Sequence, residues 1–306
     1  MTTLKKSLSS FLNTRKLHPV AVRDEDPVKI LFTDDHATFD ITGSHALISL
    51  KPFAIAVNAA AIQLSNAEKP MLRVMNGELL LGVLHLKSKS VKNFNGLTLL
   101  VFEADLSGNP MSFFSVAWNS FLLYVKNKTN IQSQNFLVPP QELLKLFVYS
   151  LKPRPVFLVS VQHENGFDAF PIDIAGTISD TQRLFSIRST SGAIPHILAT
   201  KRICAAAVPW DQRHAAYRLG RHHAGAVVPK ELEALGFIAS PQWGIPVPSF
   251  ALSVEELGLE YTFQKGVHTQ FIFRVSARYQ LAAGMQLAHT PWFNKNYFKN
   301  SFELSK

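Results

Sequence analysis

Short apolar or alternating runs, each closed by a turn signal, fill the first half of the chain. Asn76-Gly77 and Asn95-Gly96 supply the positive φ values that two-residue hairpin turns require. They separate Met71–Met75, Glu78–Lys87 and Leu97–Phe102, and Leu84–Val91 begins with the two-residue alternation of a half-solvated strand. Phe121–Val125 is another strand-sized run. A small antiparallel sheet or barrel is the prediction.

The pattern changes near Leu137–Leu151, where a double proline, Pro139-Pro140, precedes helically spaced Leu143, Leu144, Leu146 and Phe147. We place a domain boundary there, giving a β-rich domain over 1–145, of unassigned role, and a second domain over 146–306. After it, Val156–Gln162 reads as a strand, Asn165-Gly166 as a turn, and Phe170–Thr177 and Arg183–Ile187 as strands. A short helix through Pro195–Ala199 leads to the strand Arg202–Val208. Pro229–Gly236 carries proline first, acids in its opening turn and glycine past its end, as helix termini favour. Phe250–Gln264 is one or two strands and Thr269–Ser276 another, before an aromatic, basic tail, Trp292–Phe302, expected to pack over the barrel or a partner. The fold class is mainly β with short helices (α+β). Leu50-Lys-Pro-Phe-Ala-Ile-Ala-Val57 echoes Leu151-Lys-Pro-Arg-Pro-Val-Phe-Leu-Val159, which suggests a duplicated barrel with a degenerate first copy.

With 306 residues and 47% hydrophobic content, the chain can build a large core. Only 17% of residues are charged, so part of the surface is expected to be covered, as in a homodimer. The net charge of +9 suits an anionic partner. It is concentrated between Gln182 and His223, where Arg183, Arg188, Lys201, Arg202, Arg213, Arg218 and Arg221 face Asp211 as the sole acid. The single cysteine, Cys204, excludes an intrachain disulfide and a multi-cysteine metal centre, points to a reducing, cytoplasmic setting, and reads as buried packing in an apolar strand. No apolar run reaches the roughly 18 residues of a membrane helix. The first fifteen residues lack acids and also lack the apolar core of a secretory signal.

No nucleophile elbow, phosphate loop or dinucleotide fingerprint occurs. His222 and His223 are adjacent, so on a helix they would point about 100° apart, and no metal site is expected. Arg188-Ser-Thr-Ser191 before Gly192 is a candidate phosphate cradle, with hydroxyls and backbone donors beside a guanidinium; an ordinary helix cap with a solvated arginine is the alternative.

From residue 146 to about 280 the order of segments resembles the flavin-reductase-like, FMN-binding split-barrel family. It runs through Pro155–Val161, Glu164–Asp173, Ala175–Ser179, Leu184–Ser191, Ile194–Leu198 and Arg202–Pro209, then Leu235-Gly-Phe237, Gly244–Pro248, Leu257–Phe263 and Gly266-Val-His268. The resemblance implies a C-terminal split β-barrel with FMN held by Ala169, Phe170, Pro171, Ile172 and Asp173 and by Arg188, Ser189, Thr190 and Ser191. His268 would be the catalytic histidine near the nicotinamide. It implies a homodimer, NAD(P)H as co-substrate and hydride transfer to the flavin. Two departures leave altered or lost FMN binding open: Pro171 removes a backbone donor, and Asp173 puts a negative charge beside an electron-rich ring. Val267 also stands where the family has Asp. Phe170 reads either as a flavin neighbour or as core. The competing reading is a non-enzymatic split-barrel module that binds flavin, an anionic ligand or nucleic acid through residues 183–223. Nucleic acid is disfavoured because the aromatics lie in apolar strands away from the arginines.

Overall fold

The computed structural model describes residues 17–22, 27–62, 70–108, 121, 139–164, 166–220 and 235–291. Residues 1–15, most of the Phe121–Val125 run and of the Pro229–Gly236 helix, His222, His223 and the Trp292–Phe302 tail lie outside the described residues.

Two seven-stranded antiparallel sheets form the frame. The first holds β2 (Val28–Thr33), β3 (Thr38–Asp40), β4 (His45–Leu50), β5 (Phe53–Asn58), β6 (Met71–Asn76), β7 (Leu79–Phe94) and β8 (Leu97–Gly108). The second holds β10 (Phe157–His163), β11 (Gly166–Ile172), β12 (Ala175–Ser179), β13 (Gln182–Arg188), β14 (Arg202–Ala207), β17 (Ser253–Lys265) and β18 (His268–Gln280). The spatial orders are β3-β2-β6-β7-β8-β5-β4 and β11-β10-β14-β17-β18-β13-β12. Ranked along the chain, both read 2-1-5-6-7-4-3. Each also breaks register once in the same hairpin, between Leu47 and Ser49 and between Thr177 and Ser179. A shared order and a shared irregularity make the second sheet a structural repeat of the first. The echo seen in the sequence paired the wrong strands, because β5 matches β13 and β10 matches β2.

Neither sheet closes on itself. The edge strands are consecutive in the chain, so each sheet is a split barrel, open between β3 and β4 and between β11 and β12. The single strand expected over Phe170–Thr177 is therefore two edges joined at Asp173 and Ile174.

The sequence of β5 shows how the halves meet. Phe53, Ile55 and Val57 alternate with Ala54 and Ala56, and all five are buried. The large residues fill the first barrel with Phe32, Phe102 and Leu72. The small ones face outward into a second cluster that joins Ala46, Ile48, Leu99 and Val101 to Ile178, Leu184 and Ile272 of the second sheet. Alanines there let two sheets approach closely without voids. Ser186 Oγ donates to Leu47 O (3.0 Å), Asn58 Nδ2 to Ile178 O (3.0 Å) and Gln270 Nε2 to Ile48 O, so carbonyls inside the interface have partners. A Cβ placed on Gly176 would lie 2.5 Å from Ala46 Cβ. The register makes Ala46 and Gly176 equivalent, so the two repeats touch at matching positions, as residues do on a twofold axis.

Helix α1 (Pro140–Tyr149) starts with proline, as predicted, and buries Leu143, Leu146, Phe147 and Tyr149 in the first core. Glu142 Oε2 accepts from Phe53 N at 2.7 Å, pinning the helix to β5. The repeats differ most between ranks five and six. Gly77 (φ 58°) closes a tight turn in the first, whereas in the second an excursion includes the described residues 208–220 and 235–252. It contains α3 (Arg213–Leu219) and the hairpin β15 (Phe237–Ala239) and β16 (Pro246–Pro248). This excursion covers the outer face of β10 and β14, burying Ala216, Leu219 and Val247 with Leu158 and Ala206. Cys204 lies beneath it, and burial pushes its thiol up to about 12, in keeping with its reading as packing. Finally, β1 (Leu17–Val22), β19 (Gln286–Pro291) and β9 (Arg154–Pro155) make a three-stranded sheet. Among the described residues no helix is long and apolar enough to cross a membrane.

Candidate functional site

Of the sequence-predicted residues, Arg188–Ser191 and His268 meet at one end of the second barrel, whereas 169–173 divides between two faces. Strand pairing sets Arg188, the last residue of β13, opposite His268, the first of β18. The chain then turns: Ser189 N donates to Val267 O (3.1 Å), Ser189 Oγ lies 3.1 Å from Thr269 Oγ1, and Ser191 N donates to Arg188 O (2.8 Å). Helix α2 (Ala193–Thr200) follows, with Ala193 N pointing at Ser191 Oγ (3.4 Å). Arg188, Ser189 and Thr190 are exposed and Ser191 is half-buried. Three residues thus present cation and hydroxyls to solvent, and the fourth lies just before the helix, whose N-cap is Gly192.

His268 is 2% exposed, and its Nδ1 is buried with no hydrogen-bond partner among the described residues. Burial, reinforced by the Arg188 charge and opposed by Asp173, lowers its pKa to about 4, so the imidazole is neutral near pH 7. A buried polar nitrogen left unsatisfied costs free energy, which makes it a mark of function or of an absent partner.

The strand 169–173 divides between two faces. Ile172 belongs to the cluster with Ile187 and Ala193 in the barrel interior, and half-buried Phe170 packs against it. Ala169 points the other way, into the cluster beneath α3, and Pro171 contacts the space beside Gly220. Asp173 sits at the split itself. Its Oδ2 accepts from Arg154 Nη2 (2.9 Å) and from His289 Nδ1 (2.6 Å), whose Nε2 meets Tyr217 Oη at 2.9 Å. Burial alone would raise the Asp173 carboxyl; the Arg154 charge and the His289 hydrogen bond override it and hold the group well below the usual carboxylate range. The negative charge expected to oppose a flavin is therefore compensated from inside the protein.

Arg154, His289 and Tyr217 did not emerge from the sequence. They come from β9, β19 and α3, and only the pairing of Ala288 with Pro155 and His289 with Arg154 brings them to Asp173. The available signal was weak: an arginine set between prolines in Lys152-Pro-Arg-Pro155. Among the described residues no group of three or more His, Cys, Asp and Glu could hold a metal ion.

No family model matches this chain, and no curated protein does. Among solved structures, an FMN-binding protein from Thermus thermophilus with bound 1-cyclohex-2-enone is 25% identical, with 43% of this chain and 73% of that one covered and a TM-score of 0.39. The flavin reductase of styrene monooxygenase from Pseudomonas putida is 21% identical over 45% and 87%, TM-score 0.39. An NADH:FAD oxidoreductase from Streptomyces globisporus in complex with NAD and FAD fragments is 15% identical over 51% and 92%, TM-score 0.42. The overlaps cover about half of this chain or less, and the matched proteins are flavin reductases and FMN-binding proteins.

Proposed function

We propose that the chain is a flavin-binding oxidoreductase of the flavin-reductase type, with a single site at the end of the second barrel. The observation that carries this reading is the joining of Arg188-Ser-Thr-Ser191 to a buried, neutral His268 whose Nδ1 lacks a partner. An exposed guanidinium flanked by exposed hydroxyls fits a phosphate. The split beside Asp173 and Ile172 gives an edge along which a planar ring could lie, and Arg154 with His289 neutralises the carboxylate that would repel it. Pro171 offers no N–H there, so contacts to the ring come from side chains and from the neighbouring backbone.

In this reading Arg188, Ser189 and Thr190 hold the phosphate of FMN, and the 169–173 strand positions the ring. His268, uncharged and dry, borders the nicotinamide side, where a neutral imidazole does not repel the positive nicotinamide left by NAD(P)H. When bound, the flavin supplies the hydride acceptor and the onward electron donor. The pairing of two barrels, which the family resemblance would assign to a homodimer, is met by the two repeats of one chain. A soluble, cytoplasmic monomer is the corresponding expectation.

The visible spectrum of the purified protein, before and after addition of FMN and desalting, tests the reading. Bands near ~375 and ~450 nm followed by NAD(P)H-dependent bleaching support it. Protein that stays colourless with excess FMN overturns it.

A further inference from the structure

We infer that the first repeat positions the site proposed above: its β4–β5 turn and Glu103 seat the Lys265–His268 turn of the second repeat, making Gly266, Lys265 and Glu103 positioning residues for His268 and the Arg188–Ser191 loop. The inference rests on that site lying at this end of the second barrel, and it assigns the first repeat a part in it.

Strand geometry fixes which way the site looks. Leu184 and Ile272 face the seam between the repeats, and one step along the same face Ser186 donates to Leu47 O and Gln270 to Ile48 O. Side chains two residues further on share that face, so Arg188 and His268 lie on it too, at the end of the seam. Lys265 is paired directly with His268 across β17 and β18 and points the same way.

Two contacts from the first repeat meet this row. A Cβ built on Gly266 would fall well under 3.0 Å from Lys51 O and Ser49 Oγ, and the first of these is backbone that no rotamer change can move. Gly266 has φ 58°, but Gly77 (φ 58°) and Gly96 (φ 76°) also close turns with positive φ, and a Cβ on either would meet nothing within 4 Å. Gly266 therefore serves a close approach between the repeats as well as a turn. Beside it, Lys265 Nζ pairs with Glu103 Oε1 of β8 at 2.5 Å, with the two side chains 27% and 24% exposed. The turn passes this placement on, because Val267 O accepts from Ser189 N and the next residue is the buried His268. Apolar side chains along the rest of the seam hold the repeats together, so an ion pair at its end bears on placement more than on stability.

Glu103→Gln separates positioning from direct contact. If the pair seats the turn, this change weakens FMN binding by about three- to fivefold in fluorescence titration, Lys265→Met does the same, and the double variant is no worse than either. If Lys265 touches the ligand instead, Glu103→Gln releases it and binding tightens. Gly266→Ala, which unseats the turn, should weaken binding by about tenfold or more. A second readout needs no flavin. In the ligand-free protein the His268 ring, followed by NMR, should titrate at about 4, because burial and the Arg188 charge lower it. Gly266→Ala and, to a smaller extent, Glu103→Gln should raise that midpoint towards 6.5 as water reaches the ring. Unchanged or tighter FMN binding in Glu103→Gln overturns the inference, as does a His268 midpoint that stays at about 4 in both variants. A native protein that binds no FMN would sink the flavin reading instead, and the His268 midpoint would then decide the present one.

Discussion

Where β13 gives way to α2, the second repeat carries Arg188-Ser-Thr-Ser191; the same stretch of the first repeat reads Ala60-Ala-Ile-Gln63. Opposite Arg188 stands His268, and the position equivalent to His268 is Leu97, also buried. Between the edge strands the second repeat places Asp173 with its arginine and histidine, and the first has Ile41-Thr-Gly-Ser44. The frames match in strand order and in their bulge, yet Arg188 and His268 of the second repeat stand where the first has Ala60 and Leu97. The first repeat contributes an interface and a core, and the second contributes these and the proposed site. A shared fold therefore does not imply a shared site, even within one chain.

The most disruptive way to break this pairing is Gly176→Val. Its side chain would collide with Ala46 and with the His45 carbonyl, 2.5 Å from the new Cβ, and a loss of about 3 kcal/mol or more is expected in urea unfolding. An unchanged midpoint would show that the repeats do not meet there.

Acidity gives the next largest effect. His45 in the first repeat and His268 in the second are both buried, and both have their pKa lowered to about 4 from 6.5. The unfolded chain therefore holds the extra protons between those values, and stability is lost as pH falls from about 6.5 towards 4, by a few kcal/mol in all. His268→Leu copies the first repeat at this position and should flatten roughly half of that slope in pH-dependent denaturation. Retention of the full slope would place the titrating groups elsewhere. Asp173 acts in a lower window: its depressed carboxyl stabilises the fold above the ordinary carboxylate value near ~3.9 and ceases to do so as pH falls below it.

Arg188→Ala should weaken FMN binding by about tenfold, the scale of one charge-assisted hydrogen bond, as read by fluorescence titration. The reciprocal change, Ala60→Arg, should leave both affinity and stoichiometry at one flavin per chain. Two flavins per chain, in the native protein or in this variant, would contradict a single site.

Much of the fold was legible because hairpin turns are local. Asn76-Gly77 and Asn95-Gly96 announced their turns, and the Leu143 spacing announced α1. The repeat was harder to see, since equivalent strands share little more than which face looks into the barrel and which into the interface. Phe-Ala-Ile-Ala-Val in β5 and Gln-Arg-Leu-Phe-Ser-Ile-Arg in β13 have little else in common. For the site, the contiguous Arg188–Ser191 run could be read, whereas the Arg154–Asp173–His289–Tyr217 chain could not. Its members are up to 135 residues apart (154 to 289), and β9–β19 pairing, which joins them, is only two residues long.

The contact between Gly176 and Ala46 has one more consequence. In an assembly of identical subunits every mutation occurs on both sides of the axis, so a bulky residue at such a point meets its own copy. Here the facing positions are encoded separately, and they already differ, glycine on one side and alanine on the other. Each half can drift while the other preserves the fit, which frees one half to be remodelled around a ligand and leaves its twin as scaffold.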